Sequence, residues 1–522
     1  MSSPLPELAA IAYFVVIGWI ALWPMRERLG AFAYHTAALP SGMLAAPLAA
    51  AFTTTLHRPL DFISAAVGGL LLVAAVWAVT WLAMPHASAA WTLGGSDAGG
   101  VAKGFGLAAG AYAVVAGVLG VARFTIANAD SYVSYWPLGV ELSRTGAINE
   151  RVFASRAQLL PSLSAIHVTF GSDWAYVIYP MVAVTLLVWI ATTLWSGPLR
   201  SASTRTKLFV SGAAVGFLAL EPSFVFHSIF VHSHMISATY LLMSLSSLWV
   251  AARTADEDGP NAAWLIVAGA FAAGLALTRT DGLAYEFVPV ATAIGVLTLS
   301  KVRLKSVVAF FAPMMFVIYA VFAAGYAGLG MWKDNKLSGK PALMILGVLA
   351  VAAVSPWIVE QLDRRLPFRV AGERFMGLLV SVSAVLLLAV FVIKWDSARL
   401  ALANTRINLF EGAGGYFYLW YAVVILTAIS AFTGDALRPK SWTRGAFLGV
   451  ALFFVIAGLV HGTAHAGRIG VGDSLNRIVF HVVPVVVWYV SAVVARILSP
   501  AEETADAEAA PTPQQLQPDL AE

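Results

Sequence analysis

No cysteine occurs among the 522 residues, which excludes disulfides, thiolate nucleophiles and zinc-thiolate sites. Charge is scarce as well: charged residues make up 11% of the chain and hydrophobic residues 59%, against roughly 25% and 45–50% in an ordinary soluble domain. That balance excludes a soluble globular protein and predicts a polytopic membrane protein. The chain is expected to be all-α, because a helix satisfies its own backbone polar groups in lipid. No basic residue precedes the first apolar run, which carries the acid Glu7, so no cleavable signal peptide is expected and the run reads as a retained helix. No internal repeat of the inverted-halves kind is visible. No basic and aromatic interleaving in a soluble region points to nucleic acid.

What is present is apolar and aromatic. The 17 tryptophans and 15 tyrosines suit the headgroup level, where amphipathic rings anchor helices. A hydrocarbon core of about 30 Å needs about 20 apolar residues per helix. By that measure about fifteen spans are expected, centred near residues 16, 49, 73, 114, 184, 214, 243, 269, 291, 318, 351, 385, 424, 453 and 487. The second is the weakest, being short and containing Pro47.

Loop charge tests the alternation, since lysine and arginine concentrate on the cytoplasmic side. The sequences RER (26–28), RSASTRTK (200–207), KVRLK (301–305), DRRLPFRVAGER (363–374) and RPKSWTR (438–444) all fall on one side of the expected topology. The opposite, outer side receives 124–172, HSIFVHSH (227–234), TRTDG (278–282), WKDNK (332–336), 394–414 and 461–477. The plasma membrane is the expected location, with the polar motifs extracytoplasmic. Of 28 acidic residues six lie in the tail, a stretch rich in Ala, Pro and Gln that is expected to be disordered. Four regions follow: an N-terminal transmembrane extension (1–104), a central module (105–300) containing the long outer loop 124–172, a second transmembrane module (301–498) and the acidic tail (499–522).

Within the outer loop, DSYVSYWPLGVELSRTG sets Val133, Trp136, Val140 and Leu142 at roughly helical spacing and ends on Gly146, a residue suited to a helix C-cap. An amphipathic interfacial helix is expected, its apolar face on lipid and its polar face toward the protein. A second short helix is expected around Val152 to Leu160.

Asp130 opens this stretch. A carboxylate there can take a proton from an acceptor hydroxyl, or cap the following helix, or both. Arg279 and Arg477 lie at outer span boundaries, where a planar guanidinium can hold phosphate oxygens at two points or lift its charge to the headgroups. Asp281 is placed to pair with Arg279. His227, His232 and His234 share one loop, and His461 and His465 another. The i, i+4 spacing of His461 and His465 occurs in metal sites, but neither set carries the glutamate of an H-E-x-x-H motif, so a divalent metal is not favoured and no cofactor is expected. Hydrogen bonds to loop backbone, sugar or phosphate are the favoured roles. Glu221 beside Pro222 marks a place where a helix breaks.

In order and sidedness these phrases resemble the GT-C superfamily of membrane glycosyltransferases, which draw sugars from polyprenyl-phosphate carriers. The likeness rests on NADSYVSYWPLGVELSRTGAINE, LLPSLSAIHVTFGSDWAYVIYPMVAV, EPSFVFHSIFVHSHMISATYLLMSLSSLWVAAR, AGLALTRTDGLAYEFVP and GDSLNRIVFHVVP. It covers about 105–300 and the last of these phrases. Two departures stand out: three spans precede the family's expected first helix, and a single aspartate replaces the paired acids of many members. The resemblance implies Asp130 as catalytic base and Arg279 and Arg477 as ligands of the donor phosphate. It also implies Tyr132, Tyr135, Glu141, His232, His234 and Asp281 as the lining of the sugar or acceptor site. The implied partners are a polyprenyl-phosphate-linked sugar, membrane lipid and an acceptor of lipid, glycan or protein class. Two other classes compete. A transporter or flippase of a lipid-linked saccharide would need intramembrane charges, of which the sequence offers almost none; an assembly protein would tolerate loss of Asp130.

Overall fold

In the computed structural model the described residues are 5–85, 135–146, 158–200, 202–230, 232–255, 259–279, 282–299, 302–328, 340–365, 373–416, 418–432, 449–454, 459, 469–471 and 474–498. Among them the chain is helical and contains no β-strand. Seven helices are long and apolar enough to cross a membrane: Leu5–Leu29, Ala31–Leu56, Phe62–Ala83, Ile178–Ser196, Ser233–Arg253, Leu304–Ala323 and Asn476–Ala495. An eighth is added if Thr204–Ala219 and Pro222–Ile229 count as one broken span. The protein is therefore an all-α membrane protein. The segments near 269, 291, 351 and 385 are shorter apolar helices, and the segment near 114 lies outside the described residues.

The span that is weakest in sequence, Ala31–Leu56, is 89% buried, whereas the strongly apolar Phe62–Ala83 is 39% buried. Lipid contact, not membrane crossing, selects for the most apolar residues, so an interior helix carries small and polar side chains instead. Gly18 and Gly42 let Leu5–Leu22 and Ala31–Met43 approach until a Cβ on either would lie under 2 Å from the other helix's carbonyl oxygen. Proline then bends the second span. Pro47 has no N–H for the Met43 carbonyl, and the Leu44 N–H turns to Ser41. The Pro40 carbonyl thus loses its i+4 donor, and the buried Tyr240 hydroxyl donates to it at 2.8 Å.

Helix ends are closed at one end of the bundle by side chains from distant segments. The buried Glu7 carboxylate accepts the backbone N–H of Val177, at the start of Ile178–Ser196. There it satisfies one of the donors that a helix N-terminus leaves open. Asp61 caps Phe62–Ala83 locally, accepting from the Ser64 amide and hydroxyl, both at 2.8 Å. These bonds hold its carboxyl below the usual carboxylate range. Thr169 donates to the Leu60 carbonyl at 2.8 Å, tying the outer loop to the same end.

Where it is described, that loop is two helices. Trp136–Thr145 ends on Gly146 with φ +67°, as the C-cap reading expects. It packs on Leu159–Thr169; of the expected Val152–Leu160 helix, residues 152–157 lie outside the described residues. The amphipathic orientation is the reverse of the expected one. Gly139 and Leu142 are buried, with Gly139 set against Ser164 and Ala165, while Glu141, Arg144 and Thr145 are exposed. Of the apolar positions, Leu142 is buried while Trp136 and Val140 are half-buried, so protein covers that side only in part.

Candidate functional site

The break before Ser233–Arg253 arranges the first part of the site. His232 is extended, with φ −156°, and its Nδ1 accepts the Ser233 amide at 2.9 Å, so this histidine is the helix N-cap. His234 follows in the first turn, its ring stacked on His232 at 4.3 Å. Helix Ala262–Thr278 runs alongside and ends at Arg279, a cation where the helix dipole favours one. Two contacts one turn apart fix the pair of helices: the Ser237 hydroxyl donates to Thr278 at 2.9 Å, and Arg279 Nη1 reaches His234 Nδ1 at 3.3 Å.

The second part comes from the far end of the sequence. Pro484 has no N–H to bond the Phe480 carbonyl, so the last span breaks into Ser474–Phe480 and Val483–Leu498 with His481 at the turn. From there His481 Nε2 reaches His234 Nδ1 at 2.8 Å. His227 lies on Pro222–Ile229, beyond the 67° bend at Glu221 and Pro222, and rests on Phe480 with ring centroids 4.0 Å apart. Arg477 stands one turn before His481, and the charges of Arg279 and Arg477 both bear on the His481 ring.

All four histidines are buried. Among the described residues, His234 Nε2, His481 Nδ1 and both nitrogens of His227 have no hydrogen-bond partner. Leaving buried polar atoms unpaired costs about 1–3 kcal/mol each, so these four nitrogens call for partners beyond the described residues. A loop braces it from outside. Asn476 donates to the Gly414 carbonyl at 2.8 Å, Gly470 donates to Asn408 at 2.9 Å, and the Ser223 amide donates to the Gly415 carbonyl at 3.0 Å. Burial pushes the Tyr416 hydroxyl above its ordinary range, and it donates to the Asn476 carbonyl at 3.4 Å.

Of the residues singled out in sequence, Arg279, His232 and His234 come together, and Arg477 joins them through His481. Tyr135 lies edge-on to His232 at 5.4 Å, bringing the outer-loop helix to the cluster. Glu141 is exposed on that helix. Asp130, Tyr132, Asp281, His461 and His465 lie outside the described residues. His481 escapes sequence reasoning because its partner is 247 residues away; its only signal is its spacing from Arg477, four residues apart in NRIVFH. Glu286 is a buried acid that the sequence does not single out. It sits on Gly282–Leu299, 3% exposed, with Oε1 unpaired among the described residues. The described residues hold no group of three or more His, Cys, Asp or Glu arranged for a metal ion. A mostly apolar cavity of about 220 Å³ lies elsewhere, between Leu29–Ala33 and the last two turns of Ile178–Ser196.

No family model matches the chain, and no curated protein or solved structure matches it either.

Proposed function

We propose that this chain is an integral membrane glycosyltransferase of the GT-C kind. It moves a sugar from a polyprenyl-phosphate carrier to a lipid, glycan or protein acceptor on the extracytoplasmic face of the plasma membrane. The observation that supports this reading is the convergence of Arg279 and Arg477 on buried, incompletely paired histidines at helix ends. Two guanidinium groups and imidazole N–H donors suit the oxygens of a lipid phosphate held at interface depth. The reading retains the fifteen-span topology, with these ends outward.

In the proposed reaction the acceptor oxygen attacks the anomeric carbon, the carbon–oxygen bond to the carrier phosphate breaks, and configuration inverts. Asp130 takes the acceptor proton, and the phosphate departs with the bonding pair toward the arginines. Base and phosphate clamp must lie on opposite sides of the sugar, and their origin in different loops suits that. Asp130→Asn is expected to lower transfer from a polyprenyl-phosphate sugar by about 10²- to 10⁴-fold, the usual contribution of a general base. Expression and insertion should be unchanged, and turnover at the wild-type rate would refute the assignment.

Buried Glu286 favours a second reading, a transporter or flippase of a lipid-linked saccharide, since an acid inside a membrane helix is a functional candidate by default. In reconstituted vesicles that reading requires lipid-linked saccharide to change leaflet, and to do so more slowly with Glu286→Gln.

A further inference from the structure

We infer that His481 is a positioning residue: together with Arg279 it fixes the tautomer of His234 so that the His234 Nε2–H is held as a donor for a phosphate oxyanion. The identity of the ligand rests on the lipid-phosphate reading above; the tautomer does not.

The inference follows from donor counting. A guanidinium only donates. Arg279 Nη1 is 3.3 Å from His234 Nδ1, so that nitrogen presents its lone pair. His481 Nε2 is 2.8 Å from the same nitrogen. Two lone pairs cannot face each other at that distance, so His481 Nε2 carries a proton and donates. The single in-plane lone pair of His234 Nδ1 is therefore shared between His481, the nearer donor, and Arg279, and the proton of the neutral ring sits on Nε2. That nitrogen is buried and has no partner among the described residues. The neighbouring His232 is committed elsewhere, its Nδ1 spent on the Ser233 amide. His234 thus offers a fixed N–H beside two guanidinium groups: Arg279 is in contact with its ring, and the charge of Arg477 bears on its partner His481. A phosphate oxygen matches both the donor and the field.

The shared chemistry is a phosphate oxyanion, carried by a lipid or free in solution. The test uses the full chain in lipid nanodiscs with ¹⁵N-labelled histidine, and as ligands a polyprenyl monophosphate and inorganic phosphate. In wild type, the His234 Nδ1 resonance is expected to be of the unprotonated type and Nε2 of the protonated type. Addition of the polyprenyl monophosphate should move the Nε2 resonance. His481→Leu removes the shorter of the two donors and leaves only Arg279 at 3.3 Å, so the Nδ1-protonated form should rise and binding should weaken by about 10-fold or more, the usual effect of losing a hydrogen bond to a charged group. His481→Gln, whose amide N–H replaces the donor, should restore both; this rescue separates positioning from general packing.

A protonated His234 Nδ1 in wild type would overturn the inference. So would a folded His481→Leu protein that binds as wild type does. Binding of inorganic phosphate alone would overturn the lipid as source while keeping the donor role. If wild type binds neither ligand, the phosphate assignment falls together with the glycosyl-transfer reading; if it binds and the histidine variants are indifferent, only the present inference falls.

Discussion

Gly146 carries two separable demands, and their separation is measurable. Its φ of +67° is left-handed, and a Cβ built on it would lie 1.6 Å from the Arg58 carbonyl oxygen. Replacement by alanine combines about 1–2 kcal/mol for the left-handed conformation with about 1–3 kcal/mol for overpacking against backbone. Asparagine tolerates the left-handed region but keeps the Cβ, so Gly146→Asn relieves only the first part. Gly171 is the internal control: its φ is +84° with nothing within 4 Å of an added Cβ. Gly171→Asn should therefore cost no more than about 0.5 kcal/mol, the range of ordinary surface changes. The expected order of thermal stability in detergent is wild type and Gly171→Asn together, Gly146→Asn below, and Gly146→Ala at or below that. A local readout accompanies it. Arg144 is exposed in the helix that Gly146 caps, so trypsin cleavage after Arg144, followed by mass spectrometry, should rise in both Gly146 variants. If Gly146→Asn is as stable as Gly171→Asn, the close approach to Arg58 is wrong and conformation alone explains the glycine.

Asp61→Ala should lower stability by about 1 kcal/mol through loss of the cap. Because the folded carboxyl is held below its unfolded value, the contribution is fully present above the unfolded pKa and disappears as pH falls through the folded one. The gap between wild type and Asp61→Ala in a thermal scan should therefore close in acid, and a gap that widens there would contradict the cap. Ser246→Ala removes the acceptor of the buried Trp189 indole N–H, 2.9 Å away, and should cost about 1–3 kcal/mol. Pairing it with Trp189→Phe in a double-mutant cycle should recover much of the loss. Arg477→Ala should weaken binding of a polyprenyl-phosphate sugar; unchanged donor affinity would remove Arg477 from the phosphate site.

Features encoded within a few residues were legible in the sequence. Pro222 announces a helix break and Gly146 a helix end because backbone geometry is restricted at those residues themselves. Arg279, His232, His234 and Arg477 stand out in the sequence because each is a polar residue at the edge of an apolar run, and the structure brings them to neighbouring helix ends. Other features depend on what a residue meets. The helix Trp136–Thr145 exposes Glu141 while Gly139 docks on Ser164 and Ala165, a fact of two helices and not of one. The Ala31–Leu56 span is weak in hydropathy because it is interior, and Glu286 is unremarkable in DGLAYEF until its burial is seen. His481 acquires meaning only opposite His234.

Glu7 has a consequence for the order of assembly. Its carboxylate closes the start of a helix that is synthesised 170 residues later. Until Val177 emerges, the first membrane helix carries an acid with no backbone donor to meet it, and the helix beginning at Ile178 later arrives with an open amide end. Each completes the other. Among the described residues, the first and fourth of the seven long apolar helices are thus joined through one carboxylate, so that replacing Glu7 would untie both helix ends at once.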